Sequence, residues 1–297
     1  MTNIESLGQW DVEIGRLTEM RASLRGRPEY PLAARTLAAN MLRDADRDPA
    51  LGGMLRDAGR TVAALSAISL HLTGGVTLAR LKTFIAGFGL VSPGRARALL
   101  SYMLYLGYLE QEPVGSSPRR TTYRATSHFL ASYVQHEASL LAAVQVVEPA
   151  VELVLKHLAD PQVLKSLVLA QGKAFAEGSR QTPAFEAWYR TFMHRLGGIQ
   201  ILHGLTAAAQ EFPPHGTIPF SAAEAARRFK VSRIHVNRIL NAGAVHGFLE
   251  LEPGGVRFTA SGREALDWLY ASRLSVHLAC AAQALKAIPQ PGCGGAA

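Results

Sequence analysis

The feature that most restricts the fold of this chain is that part of it occurs twice. Residues 91–113, VSPGRARALLSYMLYLGYLEQEP, align without a gap on residues 231–253, VSRIHVNRILNAGAVHGFLELEP, at an offset of 140. Val91/Val231, Ser92/Ser232, Leu100/Leu240, Gly107/Gly247, Leu109/Leu249, Glu110/Glu250, Glu112/Glu252 and Pro113/Pro253 are identical, while Leu99/Ile239 and Tyr108/Phe248 are similar. So long a period points to duplicated domains, because solenoid units run to only about 20–50 residues. The upstream order is shared as well: residues 30–42 and then 48–72 parallel residues 160–175 and then 182–205. Proline stands in the first turn of the expected helices at Pro49, Pro161 and Pro183, behind the N-caps Asp48, Asp160 and Thr182.

Each half continues in the same order. A helix at 78–88 or 221–229 leads through a tight turn to a second helix, opened by Ser92 or Ser232 and closed at Gly107 or Gly247. A strand at 108–114 or 248–253, a turn, and a return strand at 121–126 or 256–260 come next. Residues 127–147 and 261–285 read as long, apolar-striped closing helices. The expected fold is therefore mainly α with small β wings, a tandem winged helix-turn-helix with a pseudo-two-fold relation. The expected segments are an N-terminal stretch 1–28, a first winged half 29–158, a second winged half 159–287 and a flexible tail 288–297.

Charge suggests the partner. Of the net +8, residues 77–126 carry +5 and residues 217–274 carry +3, so the repeated regions hold the whole excess. Two separate basic modules suit nucleic acid better than a membrane surface. No run of about 18 apolar residues is uninterrupted, since the best candidate is broken by Glu148, Pro149 and Glu152; no bilayer span is expected. The acidic N-terminus lacks the basic-then-apolar order of a signal peptide, which places the protein in the cytoplasm. Cys280 and Cys293 belong to no CxxC pair, against a disulfide framework or a zinc finger.

In the second helix of the later half, Val236, Ile239, Leu240 and Gly243 recur at i, i+3, i+4 and i+7 and are expected to face the core. Arg233, His235, Asn237, Arg238 and Asn241 are left outside or on the flanks. Such a face suits the major groove, where Arg bonds guanine and Asn bonds adenine bidentately, each pair discriminating by about 1–3 kcal/mol. A merely solvated amphipathic helix would show the same pattern; the preceding short helix, capped turn and basic wing, all present twice, favour binding.

The stretch RRFKVSRIHVNRIL resembles the helix-turn-helix of bacterial transcription regulators. The layout, with helices on both sides of each winged unit, resembles the MarR family of regulators over residues 31–285. That resemblance implies a two-fold core of flanking helices with a DNA-holding winged unit on each side, here fused into one polypeptide. It also implies base-facing places for Arg233, Ile234 and Arg238 and a phosphate-facing one for His235. The first half departs from the pattern, because Pro93, Gly94 and Ala98 stand where the second has Arg233, Ile234 and Arg238. Arg95 and Arg97 remain there as contacts, so the halves read different half-sites or the first grips phosphate. At the wing turns Arg119 and Arg120, with Arg257 as their counterpart, are placed for a minor groove or for phosphate.

These readings describe a sequence-specific DNA-binding transcription regulator, not an enzyme, whose partner is double-stranded DNA. It would act as a pseudo-dimeric monomer or as a homodimer, with no cofactor or metal. Two rivals share the layout: a replication initiator with tandem winged helices, and a winged-helix module that binds other proteins. The histidines form no HExxH, and AQGKAF lacks the earlier glycine and the following hydroxyl residue of a phosphate loop. Cys280 reads as a small buried residue in preference to a redox switch. Trp188, Tyr189, Phe192 and Trp268 read as core, with a small-molecule effector pocket between helices as the alternative.

Overall fold

The structure, a computed structural model, describes residues 17–87, 91–112, 121–178 and 185–288. It is mainly helical with two small antiparallel sheets. Helix α1 (Leu17–Arg25) buries Leu17, Met20 and Leu24, and α2 (Tyr30–Arg47) carries Pro31 in its first turn. Residues 48–72, expected to form one helix, form two. Asp48 caps α3 (Pro49–Met54), its carboxylate accepting from the Ala50 and Leu51 N–H groups at 3.0 Å. Asp57 then caps α4 (Ala58–Leu72) through the Arg60 N–H at 3.0 Å. The break has a local cause, since Gly52 and Gly53 weaken helix propagation while the Asp57 carboxylate offers the backbone a competing acceptor.

The first half goes on through α5 (Leu78–Ala86), α6 (Pro93–Tyr105), the strands β1 (Leu109–Gln111) and β2 (Tyr123–Ala125), and α7 (Ser127–Gln145). Two further helices follow, α8 (Val151–His157) and α9 (Pro161–Gly178). Asp160 caps α9 through the Gln162 N–H at 2.8 Å, as expected, whereas Thr182 and Pro183 lie outside the described residues. In the second half, α10 (Glu186–Trp188) runs into a π-helical turn at Tyr189–Met193, followed by α11 (Gly198–Ala208). The strand β3 (Ile218–Pro219), α12 (Ala222–Phe229), α13 (Arg233–Val245), β4 (Leu249–Glu252), β5 (Gly255–Phe258) and α14 (Ala260–Leu285) complete the order.

Strand β5 lies between β3 and β4, with Ile218 opposite Val256 and Glu250 opposite Arg257. In the first half β1 pairs β2, Glu110 opposite Arg124, and Val76 bridges Tyr123 where β3 would lie. Both Val76 and Ile218 precede the first helix of the repeated pair. This third strand was not anticipated, because two paired residues are too short to show alternation.

The leading helices pack against both halves. Helix α2 lies against α7 of its own half and against α11 of the other; α9 lies against α14 of its own half and against α4 of the other. One apolar core joins α1, α2, the end of α7 and α8 to the whole second half. A smaller one fills the first half and takes Leu164 and Val168 from α9. Helix α14 has 26 residues, hence a length of about 39 Å, and contacts α1, α2, α7, α8 and α9. It is buried almost all round, as a helix without a polar face must be.

Polar groups inside this core have assignable protonation states. The Arg273 guanidinium donates to His203 Nε2 at 3.1 Å, so the His203 proton sits on Nδ1 and faces the Tyr270 hydroxyl at 2.7 Å. His277 Nδ1 donates to the Arg273 carbonyl at 2.7 Å. Burial, with Arg273 nearby, holds His203 well below its ordinary value and brings His277 from 6.5 down to about 3. Both folded-state values lie below the unfolded ones, so the unfolded chain binds more protons between them. Stability is complete above pH 6.5 and falls as pH drops through the histidine range, by roughly 1.4 kcal/mol per pH unit for each histidine. Urea midpoints are expected to decrease from neutral pH to pH about 5; a flat profile would contradict these buried neutral imidazoles.

Candidate nucleic-acid interface

The second helix pair is assembled from local signals. Ser221 caps α12, which ends at Lys230 in the left-handed conformation (φ 51°), a place where glycine is usual. Val231 N–H returns to the Ala226 carbonyl at 3.1 Å, and Ser232 then caps α13 by accepting from His235 N–H at 3.1 Å. In the first half Ser92 accepts from Arg95 N–H at 3.3 Å. Both second helices stop alike: Gly107 and Gly247 have positive φ, and the next residue bonds back to Met103 O at 2.9 Å or to Gly243 O at 2.8 Å.

Burial follows the repeat. Ala96, Leu99, Leu100 and Met103 are buried on α6, and Val236, Ile239, Leu240 and Gly243 on α13, each pair 140 positions apart. The opposite face of α13 exposes Arg233, Ile234 (65%), Asn237, Arg238 and Asn241. Among the described residues, the side chains of Arg233, Asn237 and Arg238 make no hydrogen bond or ion pair. Arg97 on α6 is likewise exposed and unpaired, beside Pro93, Gly94 and Ala98, which are exposed but offer no hydrogen-bonding side chain.

Two residues read as DNA contacts have other partners. Arg95 donates to the buried Asp57 carboxylate at 2.6 Å, and His235 Nε2 donates to the Leu196 carbonyl at 2.8 Å. They are equivalent positions, tied to equivalent places, since Asp57 and Gly197 precede the first residues of α4 and α11 and are themselves 140 apart. The places are joined by Gly197 N–H donating to Arg56 O at 2.9 Å. Arg95 and His235 therefore anchor the N-terminal ends of α6 and α13 to one junction. Sequence spacing could not show this, because each partner lies 38 or 39 residues away.

The hairpins need a similar correction. Arg257 pairs with Glu250 and, at 2.8 Å, with Glu252, while Arg124 pairs with Glu110 at 2.8 Å. By register Arg257 is thus the counterpart of Arg124, and both close a cross-strand pair with the repeated glutamate. Arg119 and Arg120 lie outside the described residues.

Of the four aromatic residues read as core, Trp188 and Phe192 belong to it, whereas Tyr189 and Trp268 are half-buried at its edge. Trp188 and Phe192 are fully buried with ring centroids 4.6 Å apart, and Trp268 packs against Phe185 at 5.2 Å beneath the Arg21 guanidinium. Cys280 is buried, and burial pushes its thiol well up, away from the reactive thiolate. Among the described residues no helix is long and apolar enough to cross a membrane. In comparisons with protein-family models, curated proteins and solved structures, nothing matches the chain.

Proposed function

We infer that the protein is a sequence-specific DNA-binding transcription regulator, a tandem winged helix-turn-helix with a pseudo-two-fold arrangement of its halves. The observation that carries this reading is the paired face of α6 and α13. In both, four residues at one register are buried, and on α13 the opposite side leaves Arg233, Asn237 and Arg238 unpaired. Unpaired Arg and Asn side chains on a helix anchored at its N-terminal end have the donors and acceptors that base edges require. The exposed Ile234 supplies an apolar contact suited to a thymine methyl group.

The halves differ in what they offer. With Arg95 tied to Asp57 and no side-chain donor at Pro93, Gly94 or Ala98, Arg97 is the exposed cation that α6 leaves unpaired among the described residues, which suits phosphate. The preferred site is thus unequal, with one specific half-site and one tolerant half-site. Selection from a random duplex pool, followed by titration over a salt series, tests this. A single asymmetric motif is expected, with affinity falling by at least about tenfold as salt rises from roughly 50 to 200 mM. Enrichment of iterated repeats would favour an origin-binding role, and no enrichment at low salt would favour a protein-binding one.

A further inference from the structure

A cavity of about 210 Å³ opens at the junction of the halves, between the end of α2, α3, the first turn of α11 and the end of α12. Its polar lining is incomplete. Gln200 is 6% exposed; its Nε2 reaches Gly52 O only at 3.5 Å, and its Oε1 is buried with no hydrogen-bond partner. Arg56 lines the same space with a buried Nε–H that has no acceptor, and no carboxylate among the described residues pairs with its guanidinium. Arg228 is neutralised by Asp46 at 2.7 Å, whereas the exposed Lys230 ammonium has no carboxylate partner among the described residues. The lining therefore holds two uncompensated cations and one buried, unused acceptor. Burial pushes the Arg56 guanidinium down from its ordinary value, the direction expected of a cation desolvated without an anion.

A buried donor and a buried acceptor without partners cost free energy unless something satisfies both. We propose that the cavity binds a small oxyanion that also carries a hydroxyl, either a hydrogen phosphate group or a small hydroxycarboxylic acid. The oxyanion accepts from Arg56 and Lys230, and the ligand hydroxyl donates to Gln200 Oε1. The site has no counterpart in the repeat: the positions 140 before Arg228 and Lys230 are Phe88 and Leu90, which carry no charge.

The test uses the full chain without DNA, so its outcome is separate from that of the DNA-binding reading. Calorimetric titration in chloride buffer with inorganic phosphate, malate and succinate is expected to give saturable one-to-one binding for phosphate or malate. Succinate, which lacks the hydroxyl, binds more weakly. Arg56→Met weakens binding by about tenfold or more, and Gln200→Leu abolishes the preference for malate over succinate. Both variants keep side-chain bulk while removing an unsatisfied polar group, so thermal melts are expected no lower than for the parent. Phosphate binding tighter than malate assigns a phosphate ligand, and the reverse assigns a hydroxy acid. Absence of saturable binding by all three probes, an unchanged affinity in Arg56→Met, or succinate binding as tightly as the better of phosphate and malate in the parent chain overturns the proposal.

Discussion

Replacing Arg233 and Arg238 together by alanine is expected to weaken binding to the preferred duplex by at least about thirtyfold, since each bidentate Arg–base pair discriminates by about 1–3 kcal/mol. Helix content and the urea midpoint stay as they were, because both side chains are exposed and unpaired while α13 is held by Val236, Ile239 and Leu240. Fluorescence anisotropy on selected and scrambled duplexes, with circular dichroism on the same samples, separates the effects. Loss confined to the selected duplex supports base reading; equal loss on both duplexes means that the arginines contact only phosphate. Undiminished affinity for both would remove α13 from the interface. Arg95→Ala is the contrast. It strips a partner from the buried Asp57 carboxylate, so it lowers stability and leaves base preference unchanged.

Trp188→Ala is expected to cost about 3–5 kcal/mol, the range for deleting a large buried aromatic side chain. The indole is fully buried, 4.6 Å from the Phe192 ring, 5.2 Å from Phe248 and 6.5 Å from Phe258. It thus joins the π-helical turn to residues at the base of the β4–β5 hairpin. Trp188→Phe should cost much less, about 1.5 kcal/mol or below, because an apolar ring is kept and a buried group without a partner is removed. That group is the indole Nε1–H. Urea titrations of the two variants and the parent chain provide the comparison. Equal losses would mean that the indole N–H, not the packing, holds the site.

Much of the second helix pair was legible from residue order. Caps, glycine stops and the buried face of α13 depend on neighbours within one or two turns, and such signals survive in one dimension. The third strand, next to β5 or approached by Val76, did not, because pairing so short leaves no pattern. Arg95 and Arg97 illustrate the limit for the site. Both read as exposed cations of one helix, yet one is bound to Asp57 and the other is unpaired. Arg257 was matched to the wing tip by loop position, and only strand register assigned it to Arg124.

By itself the order of residues determined that this chain is largely helical, that it contains one unit twice, and that the later copy carries an arginine-rich polar face. Those properties follow from short-range backbone chemistry and from helical periodicity, which neighbouring residues specify. Tertiary structure alone decided that α2 and α9 each pack against both halves, that Arg95 and His235 are anchors, and that Arg56 and Gln200 line one cavity. Each of these depends on residues that meet in space while lying far apart in the chain, and such contacts are set by three-dimensional packing.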